Sequence, residues 1–434
     1  MPEIVFRTAA PATGMPMLPA LEPYLSPLLP RRTTKEILFV LLVHRHAKQP
    51  IVNIKHPWPS TRHHRHHGVR GMKSGVEFSS TIMITTIPKS VGVVLLPFYV
   101  IKRLCASFFN AEHSREWKRV CFGAAVRFLV NHNFKTPSSI DAYLKWTNSV
   151  DLIPVVDELR DGANLLWIGP KRLDNVLFYC HGGAYKAGCS DTHMAFCRHL
   201  QLELEKRNIS VGVVILAYKL LPENPFPVPL REARDALEFL LAAGARPENI
   251  ILSGDSAGGN LTLSLLSHIL HHHPSVELPS LPRNSQFRGL CLISPWVSMK
   301  SDAQCDLGAM EVRYQYDVIS AKIGRPVCEM LVKDIPDSEI AFLDPLEGPE
   351  SWFAGLDGLV KRILITCGEL ECIIQGIKKL HDKYLTPIHD DIEFLEQKGR
   401  LHIEPILDFA WKKDPGEKII VDWFISTFSE APRD

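Results

Sequence analysis

Read for its apolar and polar positions, the chain from about Val150 onward alternates two patterns. Short apolar-rich runs, at Val176 to Cys180, Val211 to Ala217, Ile250 to Leu252, Gly289 to Ser294, Arg362 to Cys367 and Ile392 to Glu396, predict strands. Between them Leu230 to Ala243, Leu261 to Leu270, Ile373 to Tyr384 and Glu417 to Phe428 repeat apolar residues every three or four positions and predict helices. Wholly apolar strands belong inside a parallel sheet covered on both faces, and the strand-helix alternation predicts the same α/β architecture. Two further extended stretches, Leu152 to Leu159 and Asn164 to Trp167, flank Asp161-Gly162 and predict an antiparallel hairpin at a sheet edge. From Val297 to Leu359 the pattern is irregular, which marks an insertion that could cap a site.

The first third of the chain is different. Met1 to Ser80 has no sustained periodicity, carries proline clusters and Arg31-Arg32, and reads as a poorly ordered arm. Its run Arg62-His63-His64-Arg65-His66-His67 lacks the flanking cysteines or carboxylates of a metal site. Residues 81–149 then form a second segment of apolar and helical character. Within 81–109 only about a dozen residues separate Lys89 from Lys102, short of the ~20 that span a bilayer. Two readings stay open: a membrane anchor, lying at the interface or crossing once, or a helix buried against the core. Ser114 to His132 predicts an amphipathic helix with Trp117, Cys121, Ala124 and Phe128 on one stripe, a second candidate cap. Residues 150–434 remain for the catalytic unit, with the insertion at about 297–359.

Composition narrows the class. Across 434 residues, 49 basic side chains balance 48 acidic ones, so no global charge points to nucleic acid. Ten cysteines are scattered without CxxC pairs, which fits reduced thiols and an intracellular setting, and no secretory signal is expected at the proline-broken start.

Two stretches carry chemistry. Gly254-Asp255-Ser256-Ala257-Gly258, between a predicted strand and a predicted helix, is the pattern of a nucleophile elbow, in which small neighbours let a serine sit on a strained turn. His181-Gly182-Gly183 directly follows a buried strand, and its uncovered amides could stabilise an alkoxide.

With Tyr218-Lys219-Leu220-Leu221-Pro222-Glu223, these motifs give the chain its resemblance to the hormone-sensitive lipase group of α/β-hydrolases, the fold-3 family. The apolar N-terminal segment is similar to that of fungal steryl acetyl hydrolase-like proteins. The resemblance implies an α/β-hydrolase fold with a helical cap and a triad in the order serine, acid, histidine. It implies Ser256 as nucleophile, and as base His402, on the loop after the last strand. The acid it implies is Glu371, where relatives commonly carry aspartate, with Glu369 as the alternative. The amides of Gly182, Gly183 and Ala257 would form the oxyanion hole, and Ala184 replaces the usual third glycine. The implied reaction is hydrolysis of short, acetyl-type esters of an apolar alcohol such as a sterol, without metal or other cofactor. A role in fungal secondary metabolism, or a ligand-binding pseudoenzyme on the same fold, are the alternatives.

Overall fold

Strands that are apolar on both faces need a layer on each side, and the sheet is built to supply them. The computed structural model describes residues 89–132, 136–160, 162–299, 315–410 and 418–430, within a compact unit that begins at Met83. The proline-rich arm with its histidine run lies outside the described residues, as does the stretch 300–314 of the insertion.

Among the described residues eight strands follow in chain order: β1 (Val155–Glu158), β2 (Asn164–Ile168), β3 (Val176–Cys180), β4 (Gly212–Ala217), β5 (Ile250–Asp255), β6 (Gly289–Ile293), β7 (Ile363–Gly368) and β8 (Ile392–Gln397). They form one sheet in the order β1-β2-β4-β3-β5-β6-β7-β8. The pairs from β4 through β8 are parallel, and the predicted hairpin, β1 and β2, adds the antiparallel edge. The helices of more than two turns are α1 (Lys89–Ser107), α2 (Trp117–Asn131), α3 (Ser139–Ser149), α4 (Asp191–Glu205), α5 (Val228–Ala242), α6 (Ala257–His271), α7 (Ala321–Val332) and α8 (Lys418–Ser429).

Because side chains alternate across a strand, each buried strand feeds two cores. Phe178, Cys180, Val214, Leu252, Leu292 and Ile365 pack on one face with Leu237 of α5 and Leu261 of α6. Leu177, Tyr179, Val213, Ile251, Ile293 and Leu364 pack on the other with Tyr143 of α3, Phe196 of α4 and Phe424 of α8.

The structure departs from the pattern in three places. Helices α3, α4 and α7 are additional to those predicted; in α4, His193 and His199 interrupt an apolar face made by Met194, Cys197, Leu200 and Leu204. The helix predicted over Ile373 to Tyr384 is a short α-helix, Ile374–Lys379, that widens into a π turn, Leu380–Leu385. In α2 the buried positions are Val120, Gly123, Ala124 and Phe128, whereas Trp117 is exposed beneath the Lys118 ammonium, 5.7 Å from its ring. The stripe is rotated because Gly123 fits against Leu401, a contact of the folded chain that periodicity does not carry.

Among the described residues no helix is long and apolar enough to cross a membrane. Helix α1 has two unlike faces. One packs on α2, with Tyr99 meeting Phe128 at 5.4 Å, and the other leaves Val94, Phe98 and Ile101 exposed. The two segments predicted as caps also touch, since Ser320 at the start of α7 hydrogen-bonds Asn131 of α2.

The tightest packing lies where α6 starts. A Cβ on Gly258 would fall 2.0 Å from the Cys180 carbonyl oxygen and 2.5 Å from that of His181. Gly258→Ala should therefore lower stability by roughly 3 kcal/mol, read by urea unfolding. Gly358, with nothing within 4 Å of such a Cβ, is the control. Gly358→Ala should stay within about 0.5 kcal/mol of the parent.

Candidate active site

The sheet delivers three side chains to the carboxyl ends of its strands, where open α/β sheets place their sites. Strand β5 ends at Asp255 and α6 starts at Ala257, so Ser256 must turn the chain alone. It does so at φ 51° and ψ −120°, a conformation costly for any residue with a Cβ. Its backbone is held from both sides: its N–H donates to the Ile293 carbonyl at 3.0 Å, and its carbonyl accepts from Asn260 at 3.0 Å and Trp296 at 2.9 Å. Gly254 and Gly258 meet backbone to backbone beneath it. Only 8% of Ser256 is exposed.

His402 lies on the loop after β8, and its Nε2 stands 2.8 Å from the Ser256 Oγ. Its Nδ1 stands 2.8 Å from Oε2 of Glu371, on the loop after β7. The second oxygen of Glu371, Oε1, accepts the Gly368 N–H at 2.8 Å, which restrains the carboxylate beside the ring. Both side chains are buried. Burial by itself disfavours the charged imidazole, but the hydrogen bond and charge of Glu371, reinforced by Asp317 and Asp255, outweigh it and hold the His402 pKa above the ordinary value. Burial raises that of Glu371, with the His402 contact opposing.

Glu369 does something else: its Oε2 accepts the Gly399 N–H at 2.8 Å and so ties together the turns after β7 and β8. Three other histidines of the same region are committed elsewhere. His389 Nε2 meets the Val360 carbonyl at 2.9 Å, and His381 Nδ1 meets Asp382 at 2.7 Å on the surface. His181 stacks on Tyr218 at 4.4 Å, and burial, with the His193 ring beside it, pushes its pKa down to about 4, so it stays neutral.

The expected oxyanion amides need one correction. The Gly182 N–H donates to Oδ1 of Asp255 at 2.8 Å, so it is not free for a ligand. A Cβ there would clash with the same carboxylate at 2.2 Å. Gly182 is small because Asp255 presses against it. The amides of Gly183, Ala184 and Ala257 have no protein acceptor among the described residues. Successive residues Gly183, Ala184 and Tyr185 all take positive φ, at 121°, 54° and 55°, which curls this turn. The Ala257 amide belongs to the open first turn of α6, where the helix dipole favours negative charge.

Sequence reasoning missed the groups that hold these loops. Asp255 accepts from the Tyr179 hydroxyl at 2.8 Å and faces His193 Nε2 at 3.3 Å as well as binding Gly182. Burial pushes its pKa up, but His193, Tyr179 and Gly182 together bring it below the usual carboxylate range. Its place beside Ser256 in the motif was the available signal. Glu404, two residues past His402, accepts the Leu401 N–H at 2.7 Å and pairs with Arg115 at 2.8 Å and with Arg119. Arg115 in turn pairs with Glu112 at 2.9 Å, and Glu112 with Arg103 of α1 at 2.7 Å. No spacing in the sequence announces the pairs of Glu404 with Arg115 and Arg119, because their members lie 289 and 285 positions apart.

Comparison with known proteins agrees with this fold. A family model described as alpha/beta hydrolase fold matches residues 177–403. An esterase of Acinetobacter venetianus is 29% identical over 208 residues, which cover 48% of this chain and 60% of that protein. An acetyl-hydrolase of Streptomyces hygroscopicus is 34% identical over 248 residues, covering 56% of this chain and 69% of that one. Among solved structures, an esterase from the bacterial hormone-sensitive lipase family superposes with a TM-score of 0.52 at 19% identity, over 79% of this chain and 100% of that chain. The strand order, the serine elbow and the match over half of the chain lead to one assignment: this protein belongs to the alpha/beta hydrolase fold family.

Proposed function

We propose that this chain is a serine carboxylic-ester hydrolase that works through an acyl-enzyme on Ser256. The observation that carries the reading is the continuous line from Ser256 Oγ to His402 Nε2 and from His402 Nδ1 to Glu371, each step 2.8 Å. Ser256 Oγ attacks the ester carbonyl carbon while its proton passes to Nε2, and Glu371 keeps the imidazolium oriented and compensated. The carbonyl oxygen becomes an alkoxide held by the amides of Gly183, Ala184 and Ala257, where one such donor is worth about 3 kcal/mol in related chemistry. The intermediate collapses, the alkoxy group takes the Nε2 proton, and the alcohol leaves. Water then repeats the cycle on the acyl-serine: it gives a proton to Nε2, adds its oxygen to the carbonyl, and releases the carboxylic acid as Ser256 recovers its proton.

An acetyl or similarly short acyl group is supported by the name of the Streptomyces relative, an acetyl-hydrolase. An apolar alcohol, with a sterol as the example, is supported by α1. Phe98 is 68% exposed and Phe109, just past its end, 91%. The preceding 88 residues hold eleven Lys and Arg against four Glu and no Asp. An apolar face next to a basic segment suits an anionic lipid surface, where such alcohols reside.

The wild-type chain should hydrolyse p-nitrophenyl acetate faster than long-chain esters and label stoichiometrically with a fluorophosphonate. Ser256→Ala should lose both properties; equal activity of the two proteins would refute the reading, and absence of labelling would favour the ligand-binding alternative. Neutral His402 is the active form, so a pKa held above the ordinary 6.5 places the acid limb of kcat/KM above that value. Glu371→Gln removes the bond and the charge that raise it. The limb should then move to lower pH while kcat falls by roughly 10² to 10⁴. Glu369→Gln should change neither. For the surface reading, the wild-type chain should cosediment with phosphatidylcholine vesicles only when phosphatidylserine is present, and Phe98→Glu with Ile101→Glu should abolish it.

A further inference from the structure

A buried carboxylate with no cation on its oxygens is expensive, so its partners show what it is for. Asp317 is such a group: it is fully buried, and its oxygens accept three backbone amides, with the Cys372 thiol beside them and no cation within ion-pair distance among the described residues. Oδ1 accepts the N–H of His402 at 3.0 Å and that of Val318 at 2.7 Å. Oδ2 accepts the N–H of Cys372 at 2.8 Å, the residue that follows Glu371. We infer that Asp317 is a positioning residue whose carboxylate pins the loop carrying His402 to the loop carrying Glu371 and so fixes the alignment of base and acid.

The arrangement suits that task. Glu371 and His402 meet through flexible side chains, and their alignment depends on two loops that leave neighbouring strands; Glu369 and the Leu370 amide join the near ends of those loops, and Asp317 joins them next to the pair itself. One carboxylate bonded to both backbones sets the separation, and hydrogen bonds to a charged acceptor are the stronger kind. The segment carrying Asp317 is itself held by the N-terminal helices. Arg127 of α2 donates to the Asp317 carbonyl, and to that of Ile319 at 2.9 Å, while Arg103 of α1 donates to the Tyr316 carbonyl at 3.2 Å. The charge also faces the reaction. Besides Ser256, the charged groups around the His402 ring are Glu371, Asp317 and Asp255, all carboxylates, and each favours the imidazolium formed on proton transfer. Around Asp317 itself lie His402, Glu371, the Cys372 thiol and Arg127.

This inference rests on the triad reading, so the test separates the two. Ester hydrolysis is measured per titrated serine, using fluorophosphonate stoichiometry at completion, which removes any unfolded fraction from the comparison. Asp317→Asn keeps the shape, loses the charge and turns one acceptor into a donor facing an amide. Its kcat per site should fall roughly 10- to 100-fold with little change in KM, and its acid limb should move to lower pH. Arg127→Met leaves every carboxylate in place but loosens the segment; its kcat should fall severalfold with the acid limb unmoved. An Asp317→Asn protein with wild-type kcat per site and an unshifted limb overturns the inference while Ser256 dependence still stands. Should Asp317→Asn not fold, an unchanged kcat per site in Arg127→Met overturns it. If Ser256→Ala retains activity, the triad reading fails and this inference falls with it.

Discussion

The structure turns on a contact between two stretches of backbone. At the start of α6 the Gly258 Cα lies so close to the carbonyls of Cys180 and His181 that no side chain fits between them. That contact brings the turn after β3 against the elbow after β5, with Ser256 held in a left-handed conformation between them. The strain is local and is offset by the two wholly buried strands on which the turns sit. Open amides and a serine hydroxyl thus share one corner of the sheet as a result of packing, before any catalytic partner is considered.

A second layer of order is electrostatic. Three buried carboxylates, Asp255, Asp317 and Glu371, surround the site, and each is satisfied mostly by neutral donors. Asp255 braces the turn after β3, Glu371 addresses the imidazole ring, and Asp317 addresses the backbone of the loops. Their negative charges are tolerated at that density because every oxygen facing the site has a hydrogen-bond donor.

Much of this was legible in the sequence, and the reasons differ by element. The parallel strands stood out because burial on both faces removes polar residues from them altogether, as in Val176 to Cys180. Ser256 stood out because an elbow demands small residues at fixed offsets. His402, and Glu371 with Glu369 as its alternative, came with the family resemblance, each lying just past a strand end. What escaped was set by tertiary contact. Gly182 and Ala184 look interchangeable as amide donors until Asp255 claims one of them. The face of α2 could not be assigned before Leu401 was in place against Gly123. Asp317 sits in an irregular run, 85 positions from the amide it binds.

The match to the family covers residues 177–403, yet the loop bearing His402 is gripped from outside that range. Arg115 and Arg119 clasp Glu404, Arg127 steadies the Asp317 segment, and all three belong to the stretch before the first strand. The matched stretch carries Ser256, Glu371 and His402, while side chains that precede it hold the loops on which two of them stand. A graft of the core alone would carry the parts of a hydrolase without the frame that trues them.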